Sequence, residues 1–310
     1  MKIAIIGPGL MAIPPKGWGA VESLIWDYKV VLTKLGHEVK IINIREANTI
    51  LNEINQFNPD VVHIQYDNWV GLTNKIKQPV ILTSHYAYLE QPNRHGGYVN
   101  LFRQFIGVNA HIFALSQGIK DTYVNHGKAE DKVLVVPNGV RYDLFDFTET
   151  PEDKSIYLAK VDDRKGQYKY HNIENLYFAG NIVDNKFNKN NYLGEWTKDT
   201  LYKELTNYSN LVLLSDGEAH PLVCMEAMSA GLGIVISEYS TANLDTSLPF
   251  IDVIPKNKMN DIEYVKSIIE RNRVVSRERR KEIRQYVKDN FDWEIIIEKY
   301  YIPNIEKIIK

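Results

Sequence analysis

The sequence predicts an α/β protein with two Rossmann-like domains. Short apolar runs rich in β-branched residues alternate with segments of helical period along the whole chain, the pattern of parallel strands crossed over by helices. The runs are apolar on both faces, as strands buried between two helical layers must be. The alternation restarts near the middle, and 310 residues exceed one typical domain.

The strands of the first part are Lys2 to Ile6, Glu38 to Asn43, Asp60 to Gln65, Pro79 to Thr83, His111 to Leu115 and Val133 to Val136. Between the first two, Ala20 to Leu35 carries Val21, Leu24, Ile25, Tyr28, Val31 and Leu32 at helical spacing, and Gly36 follows as a stop. Val140 to Lys154 is acidic, contains Pro151 and lacks a core period, which marks a linker. The second part repeats the scheme with Ser155 to Lys160, Asn175 to Gly180, Asn210 to Leu214, Gly233 to Ser237 and Ile251 to Ile254. Helices are expected near Asp261 to Arg271 and Ser276 to Lys288, then over Trp293 to Ile309. The domains are accordingly set at 1–148 and 149–291. The helix over 292–310 has apolar residues that suit either domain, with a return onto the first as the working assignment.

Charge and cysteine content narrow the function classes. Lys and Arg total 37 against 39 Asp and Glu, so no basic surface argues for nucleic acid. The lone Cys224 forms neither an intramolecular disulfide nor a zinc cage, in keeping with a reducing, cytoplasmic compartment. No apolar run approaches the roughly 18 to 20 residues that span a bilayer. The N-terminal apolar stretch is too short for a signal peptide and reads as a buried strand entering a loop. Arg271 to Arg284 is a basic cluster, read first as a solvated helix face and second as a contact for anionic membrane.

Gly7-Pro-Gly-Leu-Met-Ala12 matches a dinucleotide-binding fingerprint. That use requires the third small residue inside the first turn of a helix, yet Pro14, Pro15, Gly17 and Gly19 prolong the loop. The match is therefore read as a Gly-rich turn, and the loop's end, Gly17-Trp18-Gly19, either as backbone available to a phosphate or sugar or as an ordinary βα loop. Ser215 to Ser237 is more informative. It leaves a strand, opens a helix at Pro221 and stops at Gly231. Glu218 then lies at the helix mouth and Glu226 roughly 7 to 8 Å further along the axis. Two carboxylates so spaced suit two parts of one extended ligand; the alternative is a solvated Glu and a helix Glu satisfied locally.

Glu218 and Glu226 form an E-x7-E element whose surroundings resemble the donor-site signature of retaining glycosyltransferases of family four, which have the GT-B architecture. Other pieces follow in the family's order: Gly17-Trp-Gly-Ala-Val-Glu22, Lys34-Leu-Gly-His-Glu-Val39, Thr83-Ser-His85, Ala114-Leu-Ser116, Val136-Pro-Asn-Gly-Val140, and Leu158-Ala-Lys160 followed by Lys165-Gly166. The resemblance implies two Rossmann-like domains facing each other across a cleft, with a nucleotide-sugar mostly on the second and the acceptor largely on the first. It implies that Glu226 binds the ribose hydroxyls, Glu218 the hydroxyls of the transferred sugar, and Lys160 and Lys165 the diphosphate. Fixed cations there stabilise the departing diphosphate without a metal. Arg164 is a neighbouring candidate for the same role, His85 would approach the donor sugar, and the amides opened by Pro221, on Leu222 and Val223, would face the diphosphate. The expected catalytic set is Glu218, Lys165, Lys160 and His85. The expected donor-binding set is Glu226, Gly17, Gly19, Arg164, His220, Leu222 and Val223.

Ala159-Lys160 stands where the family has Gly-Arg, a point charge in place of a bidentate fork. Pro221 replaces a Gly and removes one amide, and the second domain is short between Lys165 and Glu218. The expected activity is retaining, metal-independent hexosyl transfer from a nucleoside-diphosphate sugar to a glycan, lipid or small-molecule acceptor, with no cofactor. The alternatives are a GT-B sugar-nucleotide epimerase and a catalytically idle sugar-nucleotide-binding protein.

Overall fold

Strands that are apolar on both faces require helices on both faces, and the chain meets this requirement twice. In a computed structural model that describes every residue except Trp18 and Lys189, the chain divides into two units. The first contains Met1–Pro15, Gly19–Gly139 and Trp293–Lys310; the second contains Val140–Asp292 with Lys16 and Gly17.

The first unit runs β1 (Lys2–Ile6), α1 (Ala20–Lys34), β2 (Glu38–Ile42), α2 (Ala47–Phe57), β3 (Val61–Ile64), β4 (Val80–Leu82), α3 (Val99–Gly107), β5 (His111–Ala114), α4 (Gln117–Asn125) and β6 (Val133–Val135). Its six-stranded sheet has the order β2-β1-β3-β4-β5-β6, with every pairing parallel. Each expected strand is present, trimmed by at most a residue or two at its ends. Helix α1 begins only at Ala20, so the small residues Gly7 and Gly9 lie in a loop and not at a helix mouth. Their need for glycine has a local cause. A Cβ on Gly7 would stand 2.6 Å from Asn43 Oδ1, and Gly9 has φ +70°. That same oxygen accepts from the Gly9 amide at 2.7 Å, while the Asn43 amide donates to the Met11 carbonyl at 2.7 Å. The turn closes on the end of β2.

The second unit runs β7 (Ser155–Leu158), β8 (Leu176–Ala179), α5 (Lys198–Glu204), β9 (Asn210–Leu213), α6 (Leu222–Ser229), β10 (Gly233–Ser237), β11 (Ile251–Ile254), α7 (Ile262–Glu278) and α8 (Arg280–Phe291). The five strands are parallel in the order β11-β10-β9-β7-β8. The break expected between Arg271 and Ser276 is absent. Asn272 and Ser276 continue α7 because they are buried against the sheet, where Ser276 Oγ accepts the Gly233 amide at 3.1 Å and Asn272 Oδ1 accepts from Asn210 at 3.0 Å. The chain turns at Arg279 instead.

Arg280 corrects two sequence expectations. It is buried, and its guanidinium donates to the carbonyls of Thr148, Tyr208, Thr206 and Ala230 at 2.6 to 3.0 Å. The segment read as a linker is thereby packed into the second unit, helped by Thr148 N on Thr206 Oγ1 at 2.8 Å and by Phe145 in the core. The division falls between Gly139 and Val140, before residue 148. The other cations of the Arg271–Arg284 cluster are likewise engaged with protein: Arg271 with Asp252, Arg273 and Arg277 with Asp153, Arg279 with Glu282, Lys281 with Glu149, and Arg284 with the Tyr142 carbonyl. Arg273, Arg277, Arg280 and Lys281 thereby fasten the helices to the segment before β7, while Arg271, Arg277, Arg279 and Lys281 stay largely exposed, as a solvated helix face requires. Among the described residues no helix is long and apolar enough to cross a membrane.

After Asp292 the chain rejoins the first unit as α9 (Trp293–Ile296), one wider π turn (Ile297–Tyr301) and α10 (Ile302–Ile309). Trp293 and Tyr301 are fully buried. Trp293 Nε1 donates to Asp27 at 3.1 Å, and its ring lies 4.5 Å from that of Tyr28. Gly139 exists for this contact, since a Cβ there would meet Trp293 Cδ2 at 2.6 Å. The glycine of the Val136-Pro-Asn-Gly-Val140 motif thus has a packing cause.

Candidate active site

The loops at the carboxyl ends of β7 and β9 carry Arg164, Lys165 and Glu218. After β7, Asp162 Oδ1 accepts the Lys165 amide at 3.0 Å and its carbonyl accepts the Gly166 amide at 2.9 Å. This turn closes with Gly166 at φ +64°, a left-handed conformation that glycine adopts without steric cost. The Lys165-Gly166 pair therefore has a backbone reason. The turn is stitched to the loop after β9: the Asp216 amide donates to the Arg164 carbonyl at 3.0 Å, and Arg164 Nη1 donates to the Gly217 carbonyl at 2.7 Å. Beneath both, the buried hydroxyl of Tyr157 donates to the Lys165 carbonyl and accepts the Leu214 amide at 2.9 Å.

These ties deliver the side chains to one point. Glu218 Oε1 is ion-paired with Lys165 Nζ and lies 3.1 Å from Arg164 Nη1. Two cations on one carboxylate oxygen leave a net positive charge, which suits a group carrying more than one negative charge. Lys160 stands apart. It is exposed and its side chain forms no ion pair among the described residues, while its carbonyl accepts from Gln167 at 2.9 Å. Arg164, ranked as a neighbouring candidate from sequence, occupies the position beside Glu218 that Lys160 does not.

Helix α6 begins at Leu222 with Pro221 as its cap residue, so Leu222 and Val223 hold the first-turn amides as expected. Glu226 lies further along α6, where its Oε1 is 3.0 Å from Lys198 Nζ. Lys198, at the start of α5, was not anticipated, because seven residues with no clear apolar period do not announce a helix. His220 is buried against the ring of Phe291 at 6.0 Å, and burial pushes its pKa down to about 3; it is a neutral packing residue beside the helix mouth. Gly17 would accommodate a Cβ without a close contact, whereas Gly19 has φ +132° and its carbonyl accepts from the amide and hydroxyl of Ser23 at 2.9 Å each. Gly19 is thus explained by the start of α1. Trp18 of the same motif lies outside the described residues.

His85 belongs to the first unit, in the loop after β4. Its Nε2 is 2.7 Å from Gln65 Oε1, and burial lowers its pKa to about 4. Gln65 and the buried His63 on β3 had no sequence signal beyond membership of a strand. Asp162 and Asp163, the one acidic pair between the lysines, are committed to the Lys165 amide and to Lys186 at 2.6 Å. No group of three or more His, Cys, Asp or Glu that can hold a metal ion occurs among the described residues. The Cys224 thiol is buried, which raises its pKa and leaves it unreactive.

Residues 28–144 match the model of Glycosyltransferase Family 4. The fold is similar to that of sucrose-phosphate synthase from Thermosynechococcus elongatus (TM-score 0.77, 14% identity, covering 99% of this chain and 98% of that one). It is also similar to AviGT4, a glycosyltransferase involved in avilamycin A biosynthesis (0.74, 14%, 100% and 98%), and to Anabaena HepE in complex with UDP-glucose (0.73, 12%, 99% and 100%). No curated protein matches the sequence. At these identities the structural likeness speaks for the fold, and the family match covers residues 28–144. The chain thus has the fold of these glycosyltransferases, with two Rossmann-like units, and its segment 28–144 is similar to Glycosyltransferase Family 4.

Proposed function

We propose that this protein is a retaining, metal-independent glycosyltransferase that moves a hexosyl group from a nucleoside-diphosphate sugar to a glycan, lipid or small-molecule acceptor in the cytoplasm without a cofactor. The observation that carries this reading is the convergence of Lys165 and Arg164 on Glu218 at the mouth of α6, with Glu226 further along the same helix. Cations of this kind, fixed by the turn that Gly166 and Tyr157 hold, stabilise the charge that grows on a departing diphosphate. Glu226, steadied by Lys198, takes the ribose hydroxyls, and Glu218 takes hydroxyls of the sugar. His85 serves from the acceptor side. HepE, whose fold is similar, has been captured with UDP-glucose, which makes a uridine diphosphate sugar the first donor to try.

Retention follows most economically from substitution on one face. The bond from the sugar's anomeric carbon to the diphosphate breaks, the acceptor oxygen bonds on the face being vacated, and its proton passes to the leaving phosphate oxygen. No carboxylate is needed as a covalent nucleophile. The test is acceptor-dependent release of nucleoside diphosphate, with the anomeric configuration of the product read by NMR. Release without any acceptor, with a changed nucleotide-sugar, would favour an epimerase. Donor binding with no turnover across acceptor classes would favour an idle binding protein.

A further inference from the structure

Within the first unit, a chain of hydrogen bonds runs from the C-terminal tail to the loop after β4. The Tyr301 hydroxyl lies 3.0 Å from His63 Nδ1, and His63 Nε2 lies 2.8 Å from Thr83 Oγ1. Gln65 Nε2 lies 3.4 Å from the same His63 Nδ1, and Gln65 Oε1 lies 2.7 Å from His85 Nε2. His63, Gln65, Thr83 and Tyr301 are all buried, and His85 is half-buried. A polar chain in such surroundings is costly unless every member is satisfied, so its donors and acceptors must agree along its length.

The amide of Gln65 determines that agreement, because its nitrogen only donates and its oxygen only accepts. Facing the amide nitrogen and the Tyr301 hydroxyl, His63 Nδ1 must be bare; the ring's proton is then on Nε2 and is donated to Thr83 Oγ1. Facing the amide oxygen, His85 Nε2 must carry its ring's proton. Both imidazoles are driven to the neutral form by burial, and charge on His85 further opposes charge on His63. We infer that Gln65 is a positioning residue that selects the Nε2–H tautomer of His85, with His63, Thr83 and Tyr301 setting the amide orientation through which it acts. His85 consequently offers a bare Nδ1, an acceptor for a hydroxyl group. Its use against a sugar rests on the function proposed above; its tautomer does not.

The experiment is long-range proton–nitrogen NMR of the full chain labelled with 15N-histidine, near neutral pH and without ligand. The signals are assigned with His63→Gln and His85→Gln. Wild-type His85 should give a single Nε2–H signature. Gln65→Leu should lose that preference and yield a mixture of tautomers, while Gln65→Glu, which keeps an acceptor, should restore it. Thr83→Val should move the His63 proton to Nδ1, turn the Gln65 amide and shift His85 to Nδ1–H, an outcome that packing alone does not produce. A wild-type His85 with an Nδ1 proton or a mixture, or an unchanged His85 in Gln65→Leu, overturns the inference. Retention of Nε2–H in Thr83→Val removes His63 and Thr83 from the chain. Calorimetry with uridine diphosphate on the wild type tests the donor reading separately, so the two failures are distinguishable.

Discussion

Lys165 and Glu218 form an ion pair in which only 9% of one side chain and 12% of the other remain exposed, and Arg164 places a second cation on the same carboxylate oxygen. The two groups expected to hold the diphosphate and the sugar hold each other. The pair holds the cations in place, and side chains already ordered cost less to immobilise on binding.

Lys165 should act on the departing diphosphate more than on the ground state. Lys165→Ala is expected to lower kcat by ~10² or more, the range for loss of one positioned charge stabiliser, with a smaller effect on donor binding. An unchanged kcat would remove Lys165 from the site.

Glu218 should divide from Glu226 in the opposite sense. Glu218→Gln removes a negative charge beside two cations, so nucleoside diphosphate affinity should hold or rise while kcat falls. Glu226→Ala should weaken donor and free diphosphate alike, raising KM more than it lowers kcat. Lys198→Ala should act in the same direction as Glu226→Ala. Because the two groups touch, their combined effect should depart from additivity by about 0.5 to 3 kcal/mol. Calorimetry beside steady-state kinetics decides it; equal losses of diphosphate affinity in Glu218→Gln and Glu226→Ala would refute the division of labour.

Turnover should survive EDTA. The cations at Glu218 supply positive charge, and Asp162 and Asp163 are already engaged by the Lys165 amide and Lys186. Full loss of activity that magnesium or manganese restores would sink the idea.

A pH effect on stability should arise in the first unit. Burial raises the Asp67 carboxyl to about 6, against hydrogen bonds from Ser84 and Tyr98 that pull it partly back, and its Oδ1 is buried without a partner. A carboxyl raised in the folded state binds its proton more tightly there than when unfolded. Its stabilising contribution is therefore complete below the unfolded value, near 4, and is lost as pH rises through about 6. Asp67→Asn should abolish this slope and gain up to ~3 kcal/mol relative to wild type at neutral pH. The buried histidines His63, His85 and His220 have the opposite dependence, so the quantity to read is the variant-minus-wild-type difference in urea unfolding across that window. A difference independent of pH would refute the assignment.

Strand identity was legible because residues such as Ile3, Ile5, Val62 and Ile64 are apolar on both faces, a local property that parallel burial demands. Helix ends were less legible. Asn272 and Ser276 look like helix-breaking polar residues until their partners at the starts of β9 and β10 are known. The basic run from Arg271 to Arg284 reads as a surface by composition, yet Arg280 is interior because four carbonyls from distant segments converge on it.

The same boundary separates what each level decided about the site. The two-sheet α/β class, the E-x7-E spacing on loop and helix, and the delay of α1 that excludes a dinucleotide turn were legible in the sequence, since all three depend on residues close along the chain. Only the tertiary structure chose Arg164 over Lys160 as the second cation at Glu218, supplied Lys198 to Glu226, and linked Tyr301 to His85 through His63 and Gln65. Apart from the step between His63 and Gln65, those contacts join residues separated by tens to hundreds of positions. Their partners are selected by where the turns end and what burial leaves unsatisfied, and neither is written in any local pattern.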